Sequence, residues 1–245
     1  MTARAQPLLG VLGGMGPAAT ADFYQKFIRM SPVTRDQDHA RVVIWADPTI
    51  PPRSTAVLDG TDAPYPLLLA GARVLRDVGA TVVAMPCNTA HVFLPRLIRD
   101  TGIPFLDMIT ATVNTVISTG GAGGTVGILG TRGTICSGLY QHQLAAAGLS
   151  RLEPSGGIQQ RTDEAIAWVK AGDLRAAQIA AVDAIRRLRD GGATRIILAC
   201  TELPVALNDH GRRDLPPLVD PTAALAQAAV TAYWQGQLLP SGTAG

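Results

Sequence analysis

Two stretches of this chain repeat one pattern, and that repeat limits the folds open to it more than any other feature. The first reads Val78-Gly79-Ala80-Thr81-Val82-Val83-Ala84-Met85-Pro86-Cys87-Asn88-Thr89, and the second reads Gly191-Gly192-Ala193-Thr194-Arg195-Ile196-Ile197-Leu198-Ala199-Cys200-Thr201-Glu202. In each, a cysteine stands eight residues after the Gly of Gly-Ala-Thr. The openings of the two halves also align without a gap, Gly10-Val11-Leu12-Gly13-Gly14-Met15-Gly16 on Gly127-Ile128-Leu129-Gly130-Thr131-Arg132-Gly133, and the same register carries Phe23 onto Tyr140. Offsets of 117 at the openings and 113 at the cysteines describe two related lobes, each carrying one thiol.

Within each lobe the hydrophobic pattern alternates between short apolar runs and longer stretches of helical period. In the first half the runs are 8–12, 42–45, 81–85 and 103–106, and the helical stretches are 18–29, 63–78 and 89–100, followed by a helix from Asp107 to Thr119. This is a βαβ rhythm with buried parallel strands, an α/β fold. The segment Gly120-Gly121-Ala122-Gly123-Gly124 reads as a flexible join to a strand at 125–129. The second half repeats the rhythm with helices near 134–147, 161–171 and 174–190 and strands near 195–199 and 217–219. Pro221-Thr222 starts a last helix to about residue 237, and the tail from Pro240 reads as loose. The expected division is 1–107 as one lobe, joined by the last helix at 221–239, and 108–220 as the other.

Composition narrows the partners. Aromatic residues make up only 4 %, so Ala, Val, Leu and Ile must build the core. The net charge of +2 is dispersed, with Arg186-Arg187-Leu188-Arg189 and Arg212-Arg213 as its densest points, too little for a surface that tracks phosphates, so nucleic acid is excluded as a partner. No apolar run is long enough to span a membrane. The opening from Arg4 to Ala19 loosely mimics a signal peptide, but the same Gly-rich apolar run recurs at 126–130, so it reads as a strand. Three cysteines do not form a disulfide framework and fit a reducing compartment, the cytoplasm. Lys26 and Lys170 are the chain's two lysines. One falls inside a helix and one at a helix end before Gly172, so both read as solvated, and neither offers a Schiff base for pyridoxal phosphate.

Each repeated cysteine follows a buried strand and precedes a helix start, where ligands of open α/β sheets gather and helix N-termini offer N–H groups to anions. A buried structural thiol explains one such position; the matched pair is better explained by shared chemistry, with thiol pKa values lowered by the two helix starts. Cys136 falls on Ala19 in the repeat and reads as a small core side chain. His91, four residues after Cys87, opens a rival reading in which Cys87, His91 and Cys200 hold zinc. Against it, Pro204 replaces His91 in the second half, and Glu202 and Asp220 have no recognised ligand spacing. Gly10 to Gly16 departs from the dinucleotide fingerprint; it reads as a tight turn whose N–H groups approach a small anion, with Thr131 adding a hydroxyl in the equivalent turn.

These residues resemble the cofactor-independent aspartate/glutamate racemases. The matching pieces are Gly13-Gly14-Met15-Gly16-Pro17-Ala18-Ala19-Thr20, Ile50-Pro51-Pro52-Arg53-Ser54, Pro86-Cys87-Asn88-Thr89-Ala90-His91, Gly127-Ile128-Leu129-Gly130-Thr131 and Ala199-Cys200-Thr201-Glu202-Leu203-Pro204, in family order over nearly the whole chain. The resemblance implies two similar α/β lobes with an amino acid between them and no cofactor or metal. Cys87 and Cys200 are then the acid/base pair on opposite faces of Cα, Cys200 deprotonating the L-enantiomer and Cys87 the D-enantiomer. Gly14, Met15, Asn88, Thr89, Thr131, Thr201 and Glu202 fall at substrate-binding positions.

The departures fall where specificity is decided. Members acting on acidic amino acids usually carry Pro-Asp-Arg and a lysine in the second lobe; here Pro52 replaces the Asp before Arg53, and residues 157–162, the expected place of the lysine, contain none. Arg161 is the candidate replacement and Gln160 the candidate for a relaxed pocket. Aspartate or glutamate is the leading substrate, with hydantoin racemase, maleate isomerase or arylmalonate decarboxylase chemistry, or a non-catalytic carboxylate binder, as alternatives. A homodimer is the default assembly.

Overall fold

The computed structural model describes residues 7–120, 124–207 and 214–234. Two wholly parallel sheets form its centre. In the first, β1 (Leu8–Gly13) lies between β2 (Arg41–Ala46) and β3 (Val82–Ala84); in the second, the order is β5 (Ser150–Leu152), β4 (Thr125–Gly130), β6 (Arg195–Ala199), β7 (Leu218–Val219). The run at 103–106, expected as a strand, narrows to one bridge between Phe105 and Val83. Its counterpart pairs Leu218 with Ile196, both partners 113 residues further on, so the repeat survives as topology where the strand itself has nearly vanished.

Because strand side chains alternate between faces, each sheet must be covered twice. On the first sheet, Leu12 and Val83 pack on α3 (Tyr65–Asp77) and α4 (Leu94–Thr101), while Leu9, Val11, Val82 and Ala84 pack on α1 (Pro17–Met30) and α11 (Pro221–Trp234). On the second, Leu129, Ile196 and Leu198 face α8 (Gly157–Ala171) and α9 (Leu174–Asp190), and Val126, Ile128 and Ile197 face α5 (Met108–Ser118) and α7 (Leu139–Ala146). The halves therefore exchange helices: α5 leaves the first sheet and covers the second, and α11 does the reverse. Asp107 and Asp220 cap these two helices alike, each carboxylate accepting from backbone N–H groups in the first turn. With few aromatics, the second core closes on Ala165, Ala177, Ala180, Ala181 and Ala184, small side chains that let α8 and α9 approach closely.

Several sequence expectations change. Strand β2 is largely exposed rather than buried, because it is a sheet edge. The single helix expected at 134–147 is two, α6 (Arg132–Cys136) and α7, broken where Gly138 adopts φ 71°. Cys136 is exposed and not a core residue. Two short elements had no forecast, α2 (Arg53–Leu58) and β5, and the helix start expected after Cys200 is the short α10 (Glu202–Ala206). Lys26 is not solvated; its ammonium lies between Asp22 and Asp220, 2.6 Å from the latter, and the lysine side chain is 14 % exposed. Burial pushes the Asp22 carboxyl above its ordinary pKa, against the opposing pull of Lys26. The centre of the Gly-rich join at 121–123, Arg212-Arg213, the last helix beyond Trp234 and the tail from Pro240 lie outside the described residues. Among the described residues no helix is long and apolar enough to cross a membrane.

Candidate active site

Cys87 and Cys200 leave their strands through the same turn: the Cys87 N–H donates to the Met85 carbonyl at 2.8 Å, and the Cys200 N–H to the Leu198 carbonyl at 2.8 Å. Both thiols are buried and both line one cavity of about 620 Å³. First-half residues supply the loop Gly14–Ala18, the loop Pro48–Ser54 and Cys87–Thr89; second-half residues supply Thr131, Val169, Lys170 and Cys200–Glu202. The two halves meet tightly beside it, where the Gly133 N–H donates to Ser54 Oγ at 2.8 Å.

The two cysteines have different surroundings. The Cys200 thiol donates to Glu202 Oε2 at 3.0 Å, and Thr201 Oγ1 donates to the same oxygen at 3.3 Å. Burial pushes the Cys200 thiol well above its ordinary pKa, and the neighbouring Glu202 carboxylate pushes it the same way. This reverses the expectation of a thiol acidified by a helix start, since α10 is only five residues long and carries Glu202 in its first turn. Cys200 rests as a thiol facing a carboxylate.

Beside Cys87, Asn88 is 2 % exposed. Its Oδ1 accepts from the Tyr140 hydroxyl at 2.5 Å, while its Nδ2 has no hydrogen-bond partner among the described residues. Thr89 Oγ1 joins Thr131 Oγ1 at 3.0 Å and Thr134 Oγ1 at 2.7 Å, a cluster of hydroxyls that crosses between the halves. His91 turns the other way. Its Nδ1 donates to the Cys87 carbonyl at 2.9 Å and its Nε2 accepts from the Met108 N–H at 3.0 Å, so both ring nitrogens are engaged and burial holds its pKa down. The Cys87–His91–Cys200 zinc arrangement weighed from the spacing is not formed.

The Gly14–Met15 turn differs from its expected use. The Gly14 N–H donates to Thr20 Oγ1 at 2.9 Å, so it is not free for an anion. Gly14 is required for space: its φ is 89°, and a Cβ there would lie 2.4 Å from the Asp47 nitrogen. Met15 contributes its carbonyl, which accepts from Arg53 Nη2 at 3.1 Å. Arg53 Nη1 also donates to the Ile50 and Pro51 carbonyls at 3.2 and 3.3 Å, so the guanidinium braces two loops of the cavity wall as well as lining it.

Gln160 and Arg161 do not line the cavity. Gln160 is exposed and bonded to Glu164, and Arg161 is paired with Glu164 and Asp183 on the outer side of α8. The second-half cation that does line it is Lys170, in the last turn of α8, with no ion pair among the described residues. Lys170 is exposed, as its place at the helix end before Gly172 led us to expect, and it stands at the cavity wall.

A repeated α/β chain that brings one thiol from each half to a single cavity, with a thiol–carboxylate pair on one side and an unpaired amide donor on the other, defines a class of two-thiol enzymes. Residues 12–229 match the family described as Asp/Glu/Hydantoin racemase, and the chain belongs to that family, making it an isomerase. It is 29 % identical over 230 residues to the broad specificity amino-acid racemase RacX of Bacillus subtilis (strain 168), covering 92 % of this chain and 98 % of that one. It is 32 % identical over 176 residues to a glutamate racemase of Deinococcus radiodurans, covering 69 % of this chain and 58 % of that protein. Among solved structures, the Picrophilus torridus aspartate racemase superposes with a TM-score of 0.81 at 31 % identity, covering 92 % of this chain and 93 % of that one.

Proposed function

We propose that the protein racemises an amino acid by a two-base mechanism without a cofactor, Cys87 and Cys200 acting on opposite faces of Cα. The observation that carries this reading is the arrival of both repeat-matched thiols at one cavity, in unequal protonation settings. A two-base racemase needs one base and one acid at any moment, and Cys200 is the acid of the resting pair. With a D-enantiomer bound, the Cys87 thiolate removes the Cα proton and the electron pair delocalises into the α-carboxylate. Cys200 then gives its proton to the other face, leaving a Cys87 thiol and a Cys200 thiolate. The L-enantiomer reacts in reverse, with Glu202 beside Cys200 as the group that holds or returns its proton. The low acidity of Cα–H demands donors around the carboxylate, a role we assign to Asn88, Thr89, Thr131 and Thr201, which line the cavity.

An acidic amino acid is the leading substrate, because Arg53 and Lys170 put a cation from each half on the cavity wall, and aspartate and glutamate racemases are among its relatives. Likeness to a broad-specificity racemase, together with Pro52 in place of an acid, supports a wider range than aspartate and glutamate alone. The working unit is two lobes, 1–107 with the last helix and 108–220, with substrate between them, in a cytoplasmic homodimer. Chiral chromatography of L- and D-amino acids after incubation with the protein tests the reading. Aspartate or glutamate should racemise, and Cys87→Ala and Cys200→Ala should each abolish it; near-wild-type racemisation by either variant would overturn the two-base mechanism, and unchanged ligand binding with no turnover in any variant would favour a carboxylate binder.

A further inference from the structure

The sequence repeat aligns Asn88 with Thr201 and Tyr140 with Phe23, so the half that follows its cysteine with an amide is also the one that meets a tyrosine hydroxyl. That hydroxyl comes from the other half: Tyr140 lies on α7 beneath the second sheet, and Asn88 follows β3 of the first. Packing alone does not explain it. Tyr140 is 0 % exposed and fills the core among Val113, Ile128 and Leu144, and its counterpart Phe23 fills the matching place in the other core, also at 0 % exposure, with no hydroxyl.

The hydroxyl has one good acceptor. Asn88 Oδ1 lies 2.5 Å away, whereas Thr112 Oγ1 lies 3.5 Å away and gives its own proton to the Met108 carbonyl at 2.6 Å. Complete burial pushes the Tyr140 pKa upward, so the group stays protonated and donates at every pH the enzyme meets. An asparagine whose Oδ1 is held in this way cannot turn its amide over without losing that bond. Its Nδ2 is left buried with no partner among the described residues, on a side chain that stands at the cavity next to Cys87. A buried donor without an acceptor is costly unless a ligand supplies one.

We propose that Tyr140 is a positioning residue: its hydroxyl fixes the Asn88 amide so that Nδ2 donates to the α-carboxylate of the bound substrate, where negative charge grows as Cα is deprotonated. This rests on the racemase reading above. A preorganised donor acts most strongly on the charge that develops in the transition state, so kcat should suffer more than KM.

The test uses Tyr140→Phe, which retains the ring that Phe23 shows the core accepts. The expected result is a kcat about tenfold lower in both directions, with KM changed less than about threefold and a melting temperature lowered by only a few degrees, the cost of leaving Asn88 Oδ1 without its donor. Asn88→Ala should lose at least as much, and the Tyr140→Phe/Asn88→Ala pair no more than Asn88→Ala alone, since the hydroxyl acts only through the amide. Wild-type turnover by Tyr140→Phe, or losses that multiply in the double variant, would overturn the proposal. Calorimetric titration of L-aspartate separates it from the reaction assignment. Binding weakened in Tyr140→Phe by a protein that does not racemise would keep the positioning role and discard the racemase; equal L-aspartate affinity with equal kcat would discard the role and keep the racemase; and a wild-type protein that neither binds nor racemises L-aspartate would discard both.

Discussion

Adding one methyl group at Gly133 should separate the two halves of the active site. Gly133 sits in α6 of the second half, facing α2 of the first, and a Cβ there would lie 2.6 Å from Ser54 Cα, 2.8 Å from Ser54 Oγ and 2.9 Å from the Ser54 carbonyl oxygen. Two of those atoms are backbone, which no rotamer change can move. Ordinary contact begins at 3.4 Å, so α2 and α6 must part by about 0.8 Å. Arg53 and Ser54 on one side and Thr131 on the other line the cavity, and they would part with the helices. Overpacking of this kind costs about 1–3 kcal/mol, and a misplacement near 1 Å in a catalytic site costs on the order of 100-fold in rate. For Gly133→Ala we expect kcat/KM to fall by about 10- to 100-fold, in excess of what the stability loss explains, since the protein stays folded at the assay temperature. Urea denaturation followed by circular dichroism gives the stability, and chiral chromatography gives the rates. Gly157→Ala is the control: the nearest atom to its added Cβ is a flexible arginine nitrogen at 3.8 Å, so both measurements should stay near wild type. Full activity and unchanged stability in Gly133→Ala would refute the idea that this glycine sets the closeness of the halves.

Glu202→Gln removes the negative charge that, after burial, raises the Cys200 pKa; the thiolate then forms more readily, so the acid limb of kcat/KM in the L-to-D direction, for which the proposed mechanism makes Cys200 the base, should move to lower pH. An unmoved limb in a pH series on L-aspartate would show that Glu202 does not govern this thiol. Lys170→Ala should raise KM for aspartate or glutamate at least about tenfold while costing a neutral amino acid less, because only the acidic side chain loses a charge-assisted bond. Equal losses across both substrate types would place Lys170 on the α-carboxylate or outside the binding step.

How much of this was legible beforehand depended on how local the signal was. The repeat announced two α/β halves, and the structure matches it down to the shared turn before Cys87 and Cys200 and the paired caps Asp107 and Asp220, because strand hydrophobicity and capping are written within a few residues. Short elements are illegible for the same reason: Ser150–Leu152 is largely exposed and carries no apolar run, and α2 is shorter than two turns.

The sequence by itself determined that there are two related halves and that each carries a cysteine directly after a buried strand. Only the tertiary structure decided which cations line the cavity and that Cys200 is buried against Glu202. Gln160 and Arg161 share α8 with Lys170, but Gln160 bonds Glu164 and Arg161 pairs with Asp183 of α9, whereas the exposed Lys170 stands at the cavity wall, an outcome set by how the helix packs. Lys26 became a half-buried strut because Asp220, 194 residues away, folds onto it. The same holds for His91, turned inward by the Met108 N–H, and for Cys200, made a poor acid by burial as well as by its neighbour Glu202. Hydrophobic periodicity encodes which face of an element is buried, whereas desolvation and long-range pairing depend on what the other half of the chain brings against that face.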